Sequence, residues 1–283
     1  MEQINSHVQG NKLHLRHGPI ELSIAVEAAN PSDRRAAFAA AEDRFATILE
    51  ELVGDLCFLR RPVGDRVPLS PVAERMYCAV VTERDLFLTP MAAVAGAVAD
   101  EILDTMLSVA LLRKALVNNG GDIAYFAAPG EPLRILMSTL AGERLGVANL
   151  PAGRGGVATS GWGGRSFSLG IADSVTVLAE TAAEADAAAT LVTNAVDLPG
   201  HPAVRRSPAE ELSPESDLGA RLVTTGCGRL TDGEIEQALA AGMEEAERLH
   251  ATARLDAALL LLQGRFAQFG PRLIAQPHTT KAA

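Results

Sequence analysis

The sequence predicts an α+β fold, with antiparallel β-sheets packed against several α-helices. Three observations support this. Short strand-like runs follow one another with Gly and Pro between them rather than helices. Four longer segments, starting near residues 32, 91, 181 and 231, carry helical periodicity. The chain of 283 residues is 48% hydrophobic and 21% charged, enough to build a substantial core. Because aromatic residues make up only 4%, that core must come from Ala, Val, Leu and Ile, so closely spaced elements are expected.

In residues 12–25, Leu13 and Leu15, then Ile20, Leu22 and Ile24, alternate around His17-Gly18-Pro19, which predicts a hairpin of half-buried strands. After the start signal Pro31-Ser32-Asp33 the period changes. Phe38, Ala41, Phe45, Ile48, Leu49 and Leu52 share one face of a long amphipathic helix. Pro62, Gly64, Pro68 and Pro71 make residues 60–70 a loop. In residues 91–107, Val94, Val98, Ile102 and Met106 recur at helical spacing, while Ala92, Ala93, Ala95, Gly96, Ala97 and Ala99 leave the first turns nearly without side chains. Either a neighbouring helix or strand or a bound ligand must approach that end closely.

Strand-like runs follow at 115–117, 122–127, 133–138, 166–171 and 174–180. Residues 181–196 read as an alanine-rich helix, and 231–266 as a longer one opening on Thr231-x-x-Glu234, the spacing of a capping box. Its apolar stripe could cover the chain's own sheet or a second subunit, so a monomer or a homodimer is expected. Residues 201–218 read as a solvated excursion. The expected organisation is one domain over 1–275 with a mobile tail at 276–283.

Composition also excludes classes of function. The net charge of −10, without a basic run, argues against nucleic acid. No apolar run approaches the roughly 18 to 20 residues a membrane helix needs. The first 17 residues carry no hydrophobic signal, so a cytoplasmic location is expected. Cys57, Cys78 and Cys227 lack metal or redox spacing and read as ordinary thiols. No His-x-x-x-His pair or nucleophile elbow is present.

Three segments carry chemistry. In Val117-Asn118-Asn119-Gly120-Gly121-Asp122-Ile123 an apolar strand ends in two amides, two glycines and a carboxylate; a hairpin with Asn-Gly at its positive-φ positions is the plain reading. Ala158-Thr159-Ser160-Gly161-Trp162-Gly163-Gly164-Arg165 could offer backbone N–H groups to an anion or be a flexible glycine loop, but it is neither a P-loop nor a Rossmann fingerprint. In Glu184-Ala185-Asp186-Ala187-Ala188-Ala189-Thr190, the Asp186 carboxylate and Thr190 hydroxyl stand one helical turn apart, where a hard cation could use both. Asp186 could equally be a first-turn carboxylate favoured by the helix dipole.

Taken together and in this order, Gly120-Gly121-Asp122-Ile123, Thr159-Ser160-Gly161 and Ala185-Asp186-Ala187-Ala188-Ala189-Thr190 resemble the ApbE-like superfamily. Its best-known members are magnesium-dependent flavin transferases that move FMN from FAD to a protein threonine. A cytoplasmic, functionally uncharacterised branch is more similar still. It shares Thr89-Pro90-Met91-Ala92-Ala93-Val94-Ala95-Gly96 and Leu218-Gly219-Ala220-Arg221-Leu222-Val223-Thr224, and the resemblance to it covers nearly the whole chain.

The resemblance implies Mg²⁺ at Asp186, Thr190 and the Ala95 carbonyl, an oxygen-only set that suits this ion. It further implies FAD or a related phosphorylated, ring-bearing cofactor at Met91, Gly96, Asn118, Asn119, Gly120, Gly121, Asp122, Thr159, Ser160 and Gly161, with Asp122 as the catalytic base. Two departures bear on the reaction. The Lys of the transferases' Gly-Gly-Ile-Ala-Lys-Gly run is missing from Ala92-Ala93-Val94-Ala95-Gly96, and their histidine-bearing loop is missing between Gly161 and Asp173. Two other uses of the pocket therefore stand beside flavin or phosphoryl transfer: biosynthesis of a pterin-type cofactor, and non-catalytic ligand binding by an accessory protein.

Overall fold

The computed structural model describes residues 4–64, 69–83, 87–138, 144–271 and 273–275. Its first half contains β1 (Asn5–Gln9), β2 (Lys12–His17), β3 (Ile20–Ala28), α1 (Pro31–Leu59), α2 (Pro71–Val80), a 3-10 turn at Pro90–Ala93, α3 (Val94–Val109), β4 (Leu112–Asn119), β5 (Asp122–Ala127), β6 (Leu133–Ser138) and β7 (Arg144–Leu150). There follow β8 (Gly153–Ser160), β9 (Ser174–Ala179), α4 (Ala182–Ala195), β10 (Val204–Pro208), α5 (Ala209–Leu212), β11 (Leu222–Cys227), α6 (Asp232–Ala251), β12 (Ala257–Leu262), β13 (Arg265–Phe269) and β14 (Leu273–Ala275). The fold is α+β, and β1–β2, β2–β3, β3–β4, β4–β5, β5–β8, β6–β7, β7–β14, β9–β12, β10–β11 and β12–β13 pair antiparallel. No helix among the described residues is long and apolar enough to cross a membrane.

Chain contacts divide the molecule into two compact units: residues 1–131, 151–158 and 179–187, and residues 132–150, 159–178 and 188–283. In the first unit the strands pair in the order β1, β2, β3, β4, β5, β8. Alternation in β2 and β3 buries Leu13, Leu15, Leu22 and Ile24, and α1 packs on these strands with Phe38, Phe45 and Ile48 buried. Helix α3 lies against α1, β4 and β5. A chain of ion pairs ties these helices together and reaches β8: Arg44 to Glu101 at 2.8 Å, Glu101 to Arg75 at 2.9 Å, Arg75 to Asp104 at 2.9 Å and Asp104 to Arg154 at 2.5 Å. The hairpin in residues 12–25 and the long helix after it match the sequence reading. Helix α2 was not foreseen there, and part of the loop expected at residues 60–70 falls outside the described residues.

In the second unit β12 pairs with β9 on one side and β13 on the other, β7 lies between β6 and β14, and β10 pairs with β11. Helix α6 opens on the capping box, with Glu234 N–H donating to the Thr231 hydroxyl and Thr231 N–H to the Glu234 carboxylate. It packs on β12 and β13, so its apolar stripe covers the chain's own strands. Gly242 gives the closest approach, because a Cβ there would stand 2.3 Å from Val196 and 2.7 Å from Leu260.

Two expectations are corrected. The helix expected over 231–266 ends at Ala251, and the Leu-rich run beyond it is strand β12, buried at every position. A short continuous apolar run reads equally as buried helix or buried strand. Left-handed Ala253 (φ 56°), and Gln263 (φ 44°) with Gly264 (φ 81°) in the β12–β13 turn, break any single helix. Residues 166–171 form no strand: the Ser168 hydroxyl and Leu169 N–H both donate to Asn194 Oδ1, and Ile171 N–H donates to the Val196 carbonyl instead. The tail expected at 276–283 lies outside the described residues.

Candidate functional site

Strand β4 ends and β5 begins around Gly120 and Gly121, both at positive φ (67° and 117°), with Asn119 opposite Asp122. This is the two-residue primed turn that matches strand twist, with Gly-Gly rather than Asn-Gly at its centre. Asn118 is spent inside the turn, its Oδ1 accepting from Gly121 N–H at 2.9 Å. Asn119, buried, reaches out of it: its Nδ2 donates to the Ala95 carbonyl at 3.1 Å. The hairpin is thereby fastened to the first turn of α3, and the Ala95 oxygen has a protein donor.

The same first turn receives Asp186. Gly96 N–H donates to Asp186 Oδ2 at 3.1 Å, and the Ala95 N–H also bonds this carboxylate. Burial, and next the Asp122 carboxylate nearby, push the Asp186 carboxyl well above the usual range; the two amides pull the other way. The structure thus brings Asp122, Asp186, Asn119, Ala95 and Gly96 together. Asp122 and Asp186 each keep part of their surface accessible, as do Met91, in the 3-10 turn, and Ala95.

Close packing of backbone sets this arrangement. A Cβ on Gly96 would stand 2.1 Å from the Ala182 carbonyl oxygen, and one on Gly156 would stand 2.2 Å from Ala182 N. The start of α4 is therefore pressed against two glycines, one on α3 and one on β8. The near absence of side chains at the head of α3 reflects a helix rather than a ligand at Gly96. Asp100, which the sequence reading passed over, completes the contact: its two carboxylate oxygens accept from Ala182 N–H at 3.0 Å and Ala183 N–H at 2.9 Å, the first free amides of α4. Its carboxyl is pushed up to about 6, mainly by burial, with the two amides and Arg75 pulling it down. The signal available in the sequence was an acid on the Gly96 and Leu103 side of α3, opposite the stripe of Val98 and Ile102.

The remaining expected residues fall in the second unit. Thr159, on β8, is exposed and its hydroxyl lies 3.0 Å from that of Thr176. Ser160 and Gly161 are partly buried; a Cβ on Gly161 would stand 2.4 Å from the Asp173 carbonyl oxygen, so this glycine serves chain packing. Asp173 accepts from Trp162 Nε1 at 3.3 Å and from Gln263 N–H at 2.6 Å. Thr190 lies one turn beyond Asp186 on α4 and is partly buried.

Among the described residues no group of three or more His, Cys, Asp or Glu side chains is placed to hold a metal ion. An oxygen site built from one carboxylate pair and backbone carbonyls falls outside that pattern. A cavity of about 270 Å³, lined among others by Glu27, Asn30, Arg34 and Arg113, lies at the opposite end of the β3–β4 pair from the Gly-Gly turn. Arg113 is ion-paired there with Glu131 at 2.6 Å.

The family model described as AbpE bacteria matches residues 4–268. The chain belongs to this family. It is 41% identical over 161 residues to a UPF0280 protein of Methanothrix thermoacetophila, covering 53% of this chain and 64% of that protein. It is 35% identical over 135 residues to a UPF0280 protein of Methanobrevibacter smithii, covering 46% and 54%. The chain thus spans roughly half to two thirds of the length of these relatives. Among solved structures it is similar to the apo flavinyl transferase ApbE of Pseudomonas stutzeri, at 12% identity and a TM-score of 0.49 over 95% of this chain and 94% of that one. It is also similar to the flavin transferase ApbE of Vibrio cholerae, at 13% identity and a TM-score of 0.39 over 95% and 96%.

Proposed function

We propose that this AbpE-family chain binds FAD or a related phosphorylated, ring-bearing cofactor together with Mg²⁺, in the manner of a flavin or phosphoryl transferase. The observation that carries the reading is the Asp122–Asp186 pair. The Asp122 carboxylate, beside the glycine turn, lies near enough to Asp186 to raise its carboxyl, both residues are partly accessible, and none of the groups that act most on Asp186 is a cation. A hard divalent cation relieves that repulsion and supplies a counter-charge for a phosphate. Asp186 and the Ala95 carbonyl would hold it. Asn119 fixes the hairpin relative to α3, Gly121 leaves room above the turn, and Met91 lies in the 3-10 turn that leads into α3.

Asp122 would take the proton, as the carboxylate left charged once a cation held by Asp186 offsets the repulsion between the two. Binding without chemistry is the second reading, favoured by one observation: Asp186 and the Ala95 carbonyl already have protein donors at 3.1 Å, so both have a structural task without a ligand. The experiment is thermal melting of the purified chain with and without Mg²⁺, against FAD, FMN, other nucleotides and reduced pterins. A rise with FAD that requires Mg²⁺, followed by FAD cleavage, supports the transferase reading. A rise without turnover supports the binding reading, and a rise with a pterin alone moves the substrate to another ring system.

A further inference from the structure

The solvent face of the first sheet carries two imidazoles at its edge. In the β1–β2 pair His7 stands directly opposite His14, and their rings stack with centroids 4.9 Å apart and planes 10° from parallel. Both side chains lie on the face turned away from Leu13, Leu15 and α1, because alternation sends His14 outward between the two buried leucines. His7 is exposed and His14 partly so, and neither has a hydrogen-bond partner among the described residues. β1 is the edge strand of this pairing order, so nothing described in the chain covers the pair from that side.

We propose that His7 and His14 chelate a borderline-soft divalent transition metal, Zn²⁺ being the type. Directly opposed residues on one sheet face have their Cβ atoms about 4.5–5.5 Å apart, which lets two imidazoles reach one ion without moving the backbone. Neutral imidazole nitrogens suit Zn, Cu and Ni, whereas Mg²⁺ takes oxygen ligands, so this site and the Asp122–Asp186 site select different ions. Two protein ligands fill half a tetrahedral shell and leave the rest to water or an incoming ligand. Lys12 and Arg16, two residues either side of His14, share its face and oppose a cation. Both are exposed and long enough to turn their charges into solvent, and Arg16 is opposite Glu21 in register. The net charge of −10 favours cation approach overall.

The test is calorimetric titration of the whole chain with Zn²⁺ in excess Mg²⁺, using the wild type, His7→Ala, His14→Ala and, to remove the carboxylate site, Asp186→Asn. The proposal expects one Zn²⁺ bound by the wild type and by Asp186→Asn. It expects each histidine variant to lose more than the roughly tenfold to hundredfold that removal of a mere outer-sphere partner costs. Zn²⁺ should also raise the melting temperature of the wild type by pinning β1 to β2, and fail to do so in either histidine variant. Zn²⁺ affinity unchanged in both histidine variants, or lost only in Asp186→Asn, would overturn it. Both substitutions are at the surface, and the metal-free melting temperature confirms that each variant is folded.

Discussion

Asp100 on α3 caps the N-terminus of α4, and Asp186 on α4 caps the N-terminus of α3. The first bonds Ala182 and Ala183 N–H at 3.0 and 2.9 Å, the second Gly96 N–H at 3.1 Å. Each carboxylate satisfies amides that the partner helix cannot satisfy itself, and each sits where the partner's dipole is positive. The exchange fixes how the two helices meet, and so fixes where Asp186 stands relative to Asp122.

This pairing has a pH signature. Asp100 protonates in the fold at about 6, above its ordinary value of 3.8. The folded state therefore binds the proton more readily than the unfolded chain, and the contribution is fully present below 3.8 and lost as pH rises through about 6. Asp186, shifted the same way, adds to it. Asp100→Asn should flatten the fall in melting temperature across that window. An unchanged slope would mean that Asp100 is not the titrating group.

At the far end of the chain the sign is reversed. Hydrogen bonds from Thr231 and His201 pull the Glu234 carboxyl down to about 2 from 4.5. Its contribution is present above 4.5 and lost as pH falls through about 2. Glu234→Gln should flatten acid unfolding in that range. Thr231→Ala should cost about 1 kcal/mol at neutral pH, as removal of an N-cap hydroxyl commonly does; equilibrium urea unfolding measures it.

The two glycines against α4 should not tolerate a methyl group. Gly96→Ala and Gly156→Ala each drive a Cβ into backbone atoms at 2.1–2.2 Å, where no side chain can swing aside. Each should cost about 3 kcal/mol, the upper part of the usual overpacking range. Gly121→Ala meets open space but a φ of 117°, so its cost is conformational and leaves α4 in place. Denaturant midpoints of the three variants separate these mechanisms.

The sequence made the elements with a clear period legible: the β2–β3 hairpin, α1, α3, β5, β6 and α4. It also made legible the three segments that hold the candidate residues. It misled where periodicity is degenerate. Leu259 to Leu262 satisfy a helix and a doubly buried strand alike, and only pairing with β9 and β13 decides between them. Asp100 was passed over because an acid within an apolar helical run carries no local motif; its partners are 82 and 83 residues away. The function of Gly96 was left open between helix and ligand for the same reason: the group that fills its empty side is the Ala182 backbone, remote in sequence.

Removing charge from the carboxylate pair should act in opposite directions with and without metal. Asp186→Asn removes a like-charge repulsion and a buried charge, and its side-chain amide oxygen can still accept from Gly96 N–H, so this variant should melt at or above the wild-type temperature in chelator. Asp186→Asn and Asp122→Asn should each lose any rise that Mg²⁺ gives the wild type. A drop in chelator would show that the pair stabilises the fold by itself.

The most direct test of the account is equilibrium titration of FAD, followed by flavin fluorescence, into wild type and Asp186→Asn, each with Mg²⁺ and with chelator. The account predicts saturable binding by the wild type that needs Mg²⁺ and is lost in Asp186→Asn, although that variant melts no lower. FAD binding of equal strength in all four titrations, or none in the wild type with Mg²⁺, would contradict it.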